Sequence, residues 1–444
     1  SRVTTFRDHF NEAELGAPNV LPPALAARLG PSGSGLYDGA NRLHRCTSGQ
    51  RDWDLNTDGM AHYGLLPDLI QDLRNVGLDE RVLDTMYRSA DHYVGLWERC
   101  ERLAATSGLR SISARPEGLS LTAAMPEGHY LVVTEPSGGV RTLFRNPGGG
   151  WQDHALTGSP TDLVGGPETS GGGPVYPVAS VIDRRGRGWL CRLERQAAWL
   201  TPDLNGTLPV VAMVVVEYPA QTDLYGLTGN GTLVGSTLRH GPDVSTAPTP
   251  WSPLGGQALV GTGSGFHAFG DATGEHYLVV VTAAGELMVS RRRPSAAADL
   301  DWWRHAERRY LPGSTPAGVV TGPGRLRLLV QEKAGPVVLD LDLERDRTTV
   351  RPLPIGLTAG LRPALANGRI FVVDGNGRLL THSLHAITEP WYELHSRLAP
   401  RSRVAASPID GQGTLLAVTD ADGRVWTTIW TQQNRHSGWL PLPH

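Results

Sequence analysis

Three side chains near the start of the chain have the types a divalent metal takes: Asp54, Asp58 and His62, within Asp54-Leu55-Asn56-Thr57-Asp58-Gly59-Met60-Ala61-His62. Two carboxylates and an imidazole on one loop and the start of a helix could approach a metal together. A catalytic zinc needs three protein ligands and one open position. The competing reading is structural, with Asp58 capping the helix, His62 bonding to backbone and Asp54 fixing the loop. Tryptophan offers a second chemistry. The chain carries twelve tryptophans against six phenylalanines, and an indole face can stack on the C–H face of a sugar ring. Trp189, Trp251, Trp391, Trp426 and Trp430 are the carbohydrate-binding candidates, although a tryptophan recurring once per repeat can equally serve packing between repeats. Nucleophilic catalysis has no recognisable signature: there is no Gly-x-Ser-x-Gly elbow, and Ser, His and Asp do not stand in triad-like spacing.

The elements that must position these residues differ along the chain. Residues 1–60 hold Pro and Gly clusters and read as irregular connection, with a short helix at 23–29. From His62 to 104 apolar residues recur at helical spacing, first Leu65, Leu66, Leu69, Ile70 and Leu73, then Val82, Leu83, Met86, Tyr87, Ala90, Tyr93, Val94 and Trp97. Two helices are expected, with Pro67 in the first turn of the first and Gly77 at its stop.

After Ser107-Gly108 the texture changes to strands at roughly fifty-residue spacing, the mark of a repeat architecture. Seven such strands begin at His129, Val178, Asp223, His276, Arg327, Arg369 and Thr414. Most run through a Gly-rich turn into a second strand, as at Asp374-Gly375-Asn376-Gly377 and Asp420-Ala421-Asp422-Gly423. A third element brings Trp151, Trp199, Trp251, Trp302 or Trp303, Trp391 and Trp439, and the fifth unit lacks it. A short strand precedes each hairpin. Four strands in each of seven units predict a mainly β fold, a seven-bladed β-propeller over residues 107–444, behind a small helical region at 1–106. Each terminal blade can be built from contiguous chain, so closure is expected from apolar packing of blade seven on blade one, without strand exchange.

The succession of apolar strand, Asp-Gly turn, second strand and Trp-x-x-Leu-Gly-Gly, complete in Trp251-Ser252-Pro253-Leu254-Gly255-Gly256, resembles the bacterial seven-bladed propeller lectins and, more loosely, the tectonins. The segment from Thr47 through Trp53 and Asp54 to Asp68, continuing to about residue 104, resembles the C-terminal end of membrane-dipeptidase-like and amidohydrolase-like metal hydrolases. Those enzymes are α/β barrels. The helical region is therefore expected to be a barrel remnant that lacks the opening His-x-Asp strand. No cofactor is expected in this chain alone; a divalent metal such as zinc would require an upstream chain.

Composition narrows the function classes. A formal charge of −3, evenly spread, gives no electrostatic footprint for nucleic acid. No run approaches the length of a membrane span, and no signal-peptide succession occurs. Cys46, Cys100 and Cys191 lack zinc-site spacing, and Cys46 with Cys100 is the expected bridge. The sequence opens on Ser1, and an upstream part removed from a precursor or simply not represented is expected. The expected partners are a glycan or a protein, with an upstream polypeptide from the same precursor as a further one. The leading expectation is a secreted, lectin-like module that tethers an associated hydrolase or complex to glycan, not catalytic by itself. Two alternatives stand beside it: the C-terminal chain of a split metal-dependent hydrolase, and a scaffold propeller for protein partners in a secreted complex.

Overall fold

The computed structural model describes residues 112–442, apart from 125–127, 147–150, 171–176, 194–196, 204, 219, 241–246, 255–260, 262, 271–274, 293–300, 306, 354–361, 387, 410–412, 432–434 and 437–439. The helices expected before residue 104, the Cys46–Cys100 pair and Asp54, Asp58 and His62 lie outside the described residues. Within them the chain is mainly β, without a helix, and forms a seven-bladed β-propeller.

The first blade holds β1 (Leu119–Ala124), β2 (Gly128–Thr134), β3 (Val140–Arg145) and β4 (Trp151–Asp153), and the second holds β5 (Glu168–Ser170), β6 (Val178–Ile182) and β7 (Gly188–Arg192). The third runs through β8 (Val210–Glu217), β9 (Gln221–Thr228), β10 (Leu233–Arg239) and β11 (Ser252–Pro253), and the fourth through β12 (Gly265–Gly270), β13 (His276–Val281), β14 (Leu287–Arg292) and β15 (Trp303–His305). In the fifth are β16 (Ala317–Gly322), β17 (Arg325–Glu332), β18 (Gly335–Asp342) and β19 (Arg347–Pro352). The sixth has β20 (Ala364–Ala366), β21 (Arg369–Val373), β22 (Leu379–Ser383) and β23 (Tyr392–His395). The last is built from β24 (Ala405–Ile409), β25 (Gly413–Thr419), β26 (Val425–Thr431), β27 (Arg435–His436) and β28 (Leu440–Pro441). Pairing is antiparallel, for example Leu131 opposite Leu121 and Leu143. The second strands are buried on both faces, which explains why they read as continuous apolar runs.

The second blade departs from the expected four strands. Its outer strand shrinks to a single bridge in which Leu190 and Leu200 exchange backbone bonds of 2.8 Å. Elsewhere the repeat-end tryptophans fill the space between blades. Trp199 packs with Tyr130, Val132 and Val181 of blades one and two, Trp251 with Val178, Met213 and Val234 of blades two and three, and Trp302 with Tyr225 and Leu278 of blades three and four. Each unit thus hides its apolar face on its neighbour.

The chain forms two compact units, 113–145 with 152–423, and 1–112 with 146–151 and 424–444. In the larger unit the turn between the second and third strands of a blade has a recurring chemistry. Asp183 Oδ1 accepts from the amides of Arg185 and Arg187 at 2.9 and 3.0 Å, and Asp374 Oδ1 accepts from Asn376 and Arg378 at 2.9 Å. Glycine then supplies the positive φ of a tight turn, 77° at Gly186 and 75° at Gly377. The carbonyl of the turn glycine accepts an amide from the segment entering the next blade: Leu163 to Gly138 at 3.0 Å, Val210 to Gly186 and Tyr310 to Gly285 at 2.8 Å, Leu398 to Gly377 at 2.9 Å.

The same bond closes the ring. Ala114 donates to Gly423 O at 2.8 Å, and Arg115 donates to Thr134 O of the first blade at 3.0 Å. In the smaller unit, Ile112 donates to Leu442 O and Val425 donates to Ile112 O, each at 3.0 Å. These bonds correct the expectation of closure by side-chain packing alone. Within the larger unit, Ala114 reaches the turn of the seventh blade because the Gly423 carbonyl would otherwise lack a partner.

Candidate functional site

The site begins with the turn of the second blade, Asp183-Arg184-Arg185-Gly186-Arg187-Gly188-Trp189. Asp183 is buried and saturated: besides the two amides, its Oδ2 accepts from Arg187 Nε at 2.8 Å and from Trp189 Nε1 at 3.0 Å. Burial opposes its ionisation, but the bonds from Trp189 and from the amide and guanidinium of Arg187 outweigh it and hold the carboxyl below the usual range. The Arg187 guanidinium lies 5.2 Å from the Trp189 ring centre, within cation–π reach. The indole is thereby fixed at its N–H and packed by a cation, yet remains partly exposed.

Opposite this turn lies the segment joining blades one and two. Leu163 donates to Gly138 O, Thr157 bonds to Ala197 O at 3.0 Å, and Arg184 donates to Asp162 O at 2.8 Å, so residues 157–163 are pinned along the turn. Between them opens a cleft of about 390 Å³, walled by 158–162 on one side and by Asp183, Arg184, Arg185, Arg187 and Trp189 on the other. That volume falls in the range of small-molecule sites, roughly 300–1,000 Å³. Guanidinium donors, carboxylate and hydroxyl acceptors, and part of an indole surround a space large enough for one sugar ring.

The other tryptophan candidates do not line this cleft. Trp251, Trp426 and Trp430 are 7, 3 and 0% exposed, so their indoles are packing surface. Trp391 is partly exposed and lies tilted against His382, with ring centres 4.8 Å apart and an interplanar angle of 46°. It borders a cavity of about 10 Å³ between blades five and six, about the space of one water. Trp189 is therefore the candidate that the fold brings to a cleft. Asp183, Arg187 and the 158–162 wall were not singled out by sequence. The signal for the first two was the Asp-x-x-Gly-Arg turn, which recurs at Asp374–Arg378 and Asp420–Arg424.

Among the described residues no group of three His, Cys, Asp or Glu side chains is placed to hold a metal ion, and no helix is long and apolar enough to cross a membrane. Cys191 is buried, and its Sγ donates to Arg192 O at 3.4 Å.

No protein-family model matches the chain, and no curated protein matches it. Solved structures do. The BP39L lectin from Burkholderia pseudomallei superimposes with a TM-score of 0.55 at 17% identity, over 73% of this chain and 99% of that one. The Aleuria aurantia lectin, a six-bladed propeller described with a fucose recognition mode, gives 0.43 at 13% identity, over 75% and 98%. The complex of BBS1N with ARL6DN gives 0.44 at 14%, over 73% and 95%. The first of these supports the propeller fold, and at their scores the other two add nothing to it.

Proposed function

We propose that the chain is a carbohydrate-binding propeller whose site is the cleft beside Trp189. The observation that carries this reading is the junction of a partly exposed indole, locked by Asp183 and Arg187, with a sugar-sized cleft lined by hydrogen-bonding groups. Sugars present a C–H face that suits an aromatic surface and hydroxyls that suit fixed donors and acceptors. The ordered turn holds these groups before ligand arrives, which lowers the entropic cost of binding. The lectin whose fold this chain shares is consistent with such a role. An extracellular setting, and a tether that holds an associated hydrolase or complex at a glycan surface, extend the same reading.

The test is a glycan array probed with the full chain and with Trp189→Ala. Retention of a defined glycan set by the parent, lost at least tenfold in the variant, is the expected result. No glycan retained, or retention indifferent to Trp189, would sink the proposal.

A further inference from the structure

The turn that builds the cleft exists in several copies, so the fold provides its own control. At the two positions after the first turn residue, the sixth blade has Gly375 and Asn376, the seventh Ala421 and Asp422, the fourth Ala283 and Ala284, and the third Gly229 and Asn230. The turn therefore needs neither bulk nor charge there: Asp374 and Asp420 accept the amides of Asn376 and Asp422 at 2.9 and 2.8 Å whatever the side chains. In the first blade they are Pro136 and Ser137, while the fifth blade has a shorter turn, Lys333-Ala334, between Glu332 and Gly335. In the second blade the same two positions carry Arg184 and Arg185. Both are exposed, both line the cleft, and neither guanidinium has an ion pair or hydrogen bond among the described residues.

The carboxylates of the cleft do not neutralise them. Asp183 is already saturated by Arg187, Trp189 and two amides, and it faces the turn's own backbone. Asp162, on the opposite wall, is exposed and engages Arg184 through its backbone carbonyl. Three guanidinium groups thus stand against two carboxylates, one of them spent on fixing the turn. Arginine presents a planar fork of donors that fits a two-oxygen anion, and its charge cannot be titrated away in water.

We infer that the cleft selects a sugar bearing an oxyanion, a uronate carboxylate or a sulfate ester, with Arg184 and Arg185 as the specificity-determining pair. The inference rests on the cleft being the glycan site. The ring would lie by Trp189 while its anionic group reaches the two free guanidinium groups at the rim.

The experiment is a titration of the full chain with matched oligosaccharides that differ at one position: neutral, uronate and sulfated. At low salt at least one acidic member is expected to bind about tenfold tighter than the neutral one, and the advantage should shrink as salt screens exposed charge. In Arg184→Gln/Arg185→Gln the preference should collapse to near parity, with an unchanged melting temperature certifying the fold. Trp189→Ala should lose neutral and acidic ligands together. A uronate or a sulfate binding alone identifies the source of the anion and supports the inference. Equal binding of neutral and acidic members that still depends on Trp189 overturns it while leaving the glycan site standing. Binding of none, or binding indifferent to Trp189, overturns both.

Discussion

Ala114 stands to Gly423 as Leu163 stands to Gly138: in each pair an entering amide donates to the carbonyl of a positive-φ turn glycine, at 2.8 and 3.0 Å. The junction that closes the ring therefore has the same backbone chemistry as the junctions inside it. Arg403 reinforces it within the larger unit. Its amide donates to Pro116 O at 2.7 Å, and its guanidinium forms a bidentate pair with Glu168 at 2.8 and 2.6 Å, reaching past the first blade to the second.

The bonds of Ile112 with Leu442 and Val425 predict that Ile112, which is 1% exposed, matters for the stability of the smaller unit. Ile112→Ala should lower unfolding stability by about 2–5 kcal/mol, the range for emptying a buried aliphatic site. Equilibrium unfolding in urea checks this. A loss under about 0.5 kcal/mol, the size of an ordinary surface change, would show that Ile112 is not held between Val425 and Leu442.

The repeat-end tryptophans should act on stability and not on ligand. Trp251→Ala removes an indole packed among Val178, Met213 and Val234 and should cost about 3–5 kcal/mol. Glycan affinity, measured well below the melting temperature, should stay within about twofold, against the tenfold or greater loss expected for Trp189→Ala. Reversed outcomes for the two variants would exchange their roles.

How much of this was legible in the sequence follows from range. Val178–Ile182 and Arg369–Val373 are strands at the residues expected, because an apolar run between turn residues is a local signal. The closing segment is Ile112-Ser113-Ala114, too short and too mixed to read as a strand, and its partners lie some 310 residues away in sequence. Likewise the cleft depends on Asp162 meeting Arg184 across a blade junction, a contact no periodicity announces. Residue type alone could nominate Trp189 and Trp430 equally. Only the fold separates them, since β26 is buried on both faces from Val425 to Trp430 and hides Trp426 with Trp430, whereas Trp189 stays partly exposed.

Stability should fall as pH rises from 6.5 towards 8, because of Glu217. Burial pushes its carboxyl up to about 8, against the lowering influence of Arg192, and both its oxygens lack a hydrogen-bond partner among the described residues. An acid whose folded pKa lies above its unfolded one is stabilising while protonated, so its contribution is present below the unfolded value of 4.5 and is lost as pH climbs through about 8. His276, pushed down to about 3 by burial, runs the other way, but its effect is confined below its ordinary value of 6.5. Above 6.5 the Glu217 slope stands clear of it, and amounts to at most about 2 kcal/mol by pH 8. Unfolding free energies at pH 6.5 and 8 should differ in this sense for the parent and become nearly equal in Glu217→Gln. An unchanged slope in the variant would remove Glu217 as the cause.

Asp183 and Asp374 hold the same turn in different blades, and that makes them a matched pair. Asp183→Asn and Asp374→Asn each weaken an Arg partner, Arg187 or Arg378, and should each cost about 1–3 kcal/mol of stability by loosening a carboxylate with several donors. Only Asp183 also accepts the indole N–H of the cleft tryptophan, so only Asp183→Asn should weaken glycan binding, by roughly tenfold through a displaced Trp189. The pH dependence carries the same signature. A carboxyl held below the usual range stays ionised until the pH falls through that lowered value, and Arg184, Arg185 and Arg187 stay charged throughout, so parent affinity should be flat from pH 5 to pH 8. Equal binding losses in both variants, or an affinity that falls as pH is lowered from 7 to 5, would mean that Asp183 does not organise the site as described.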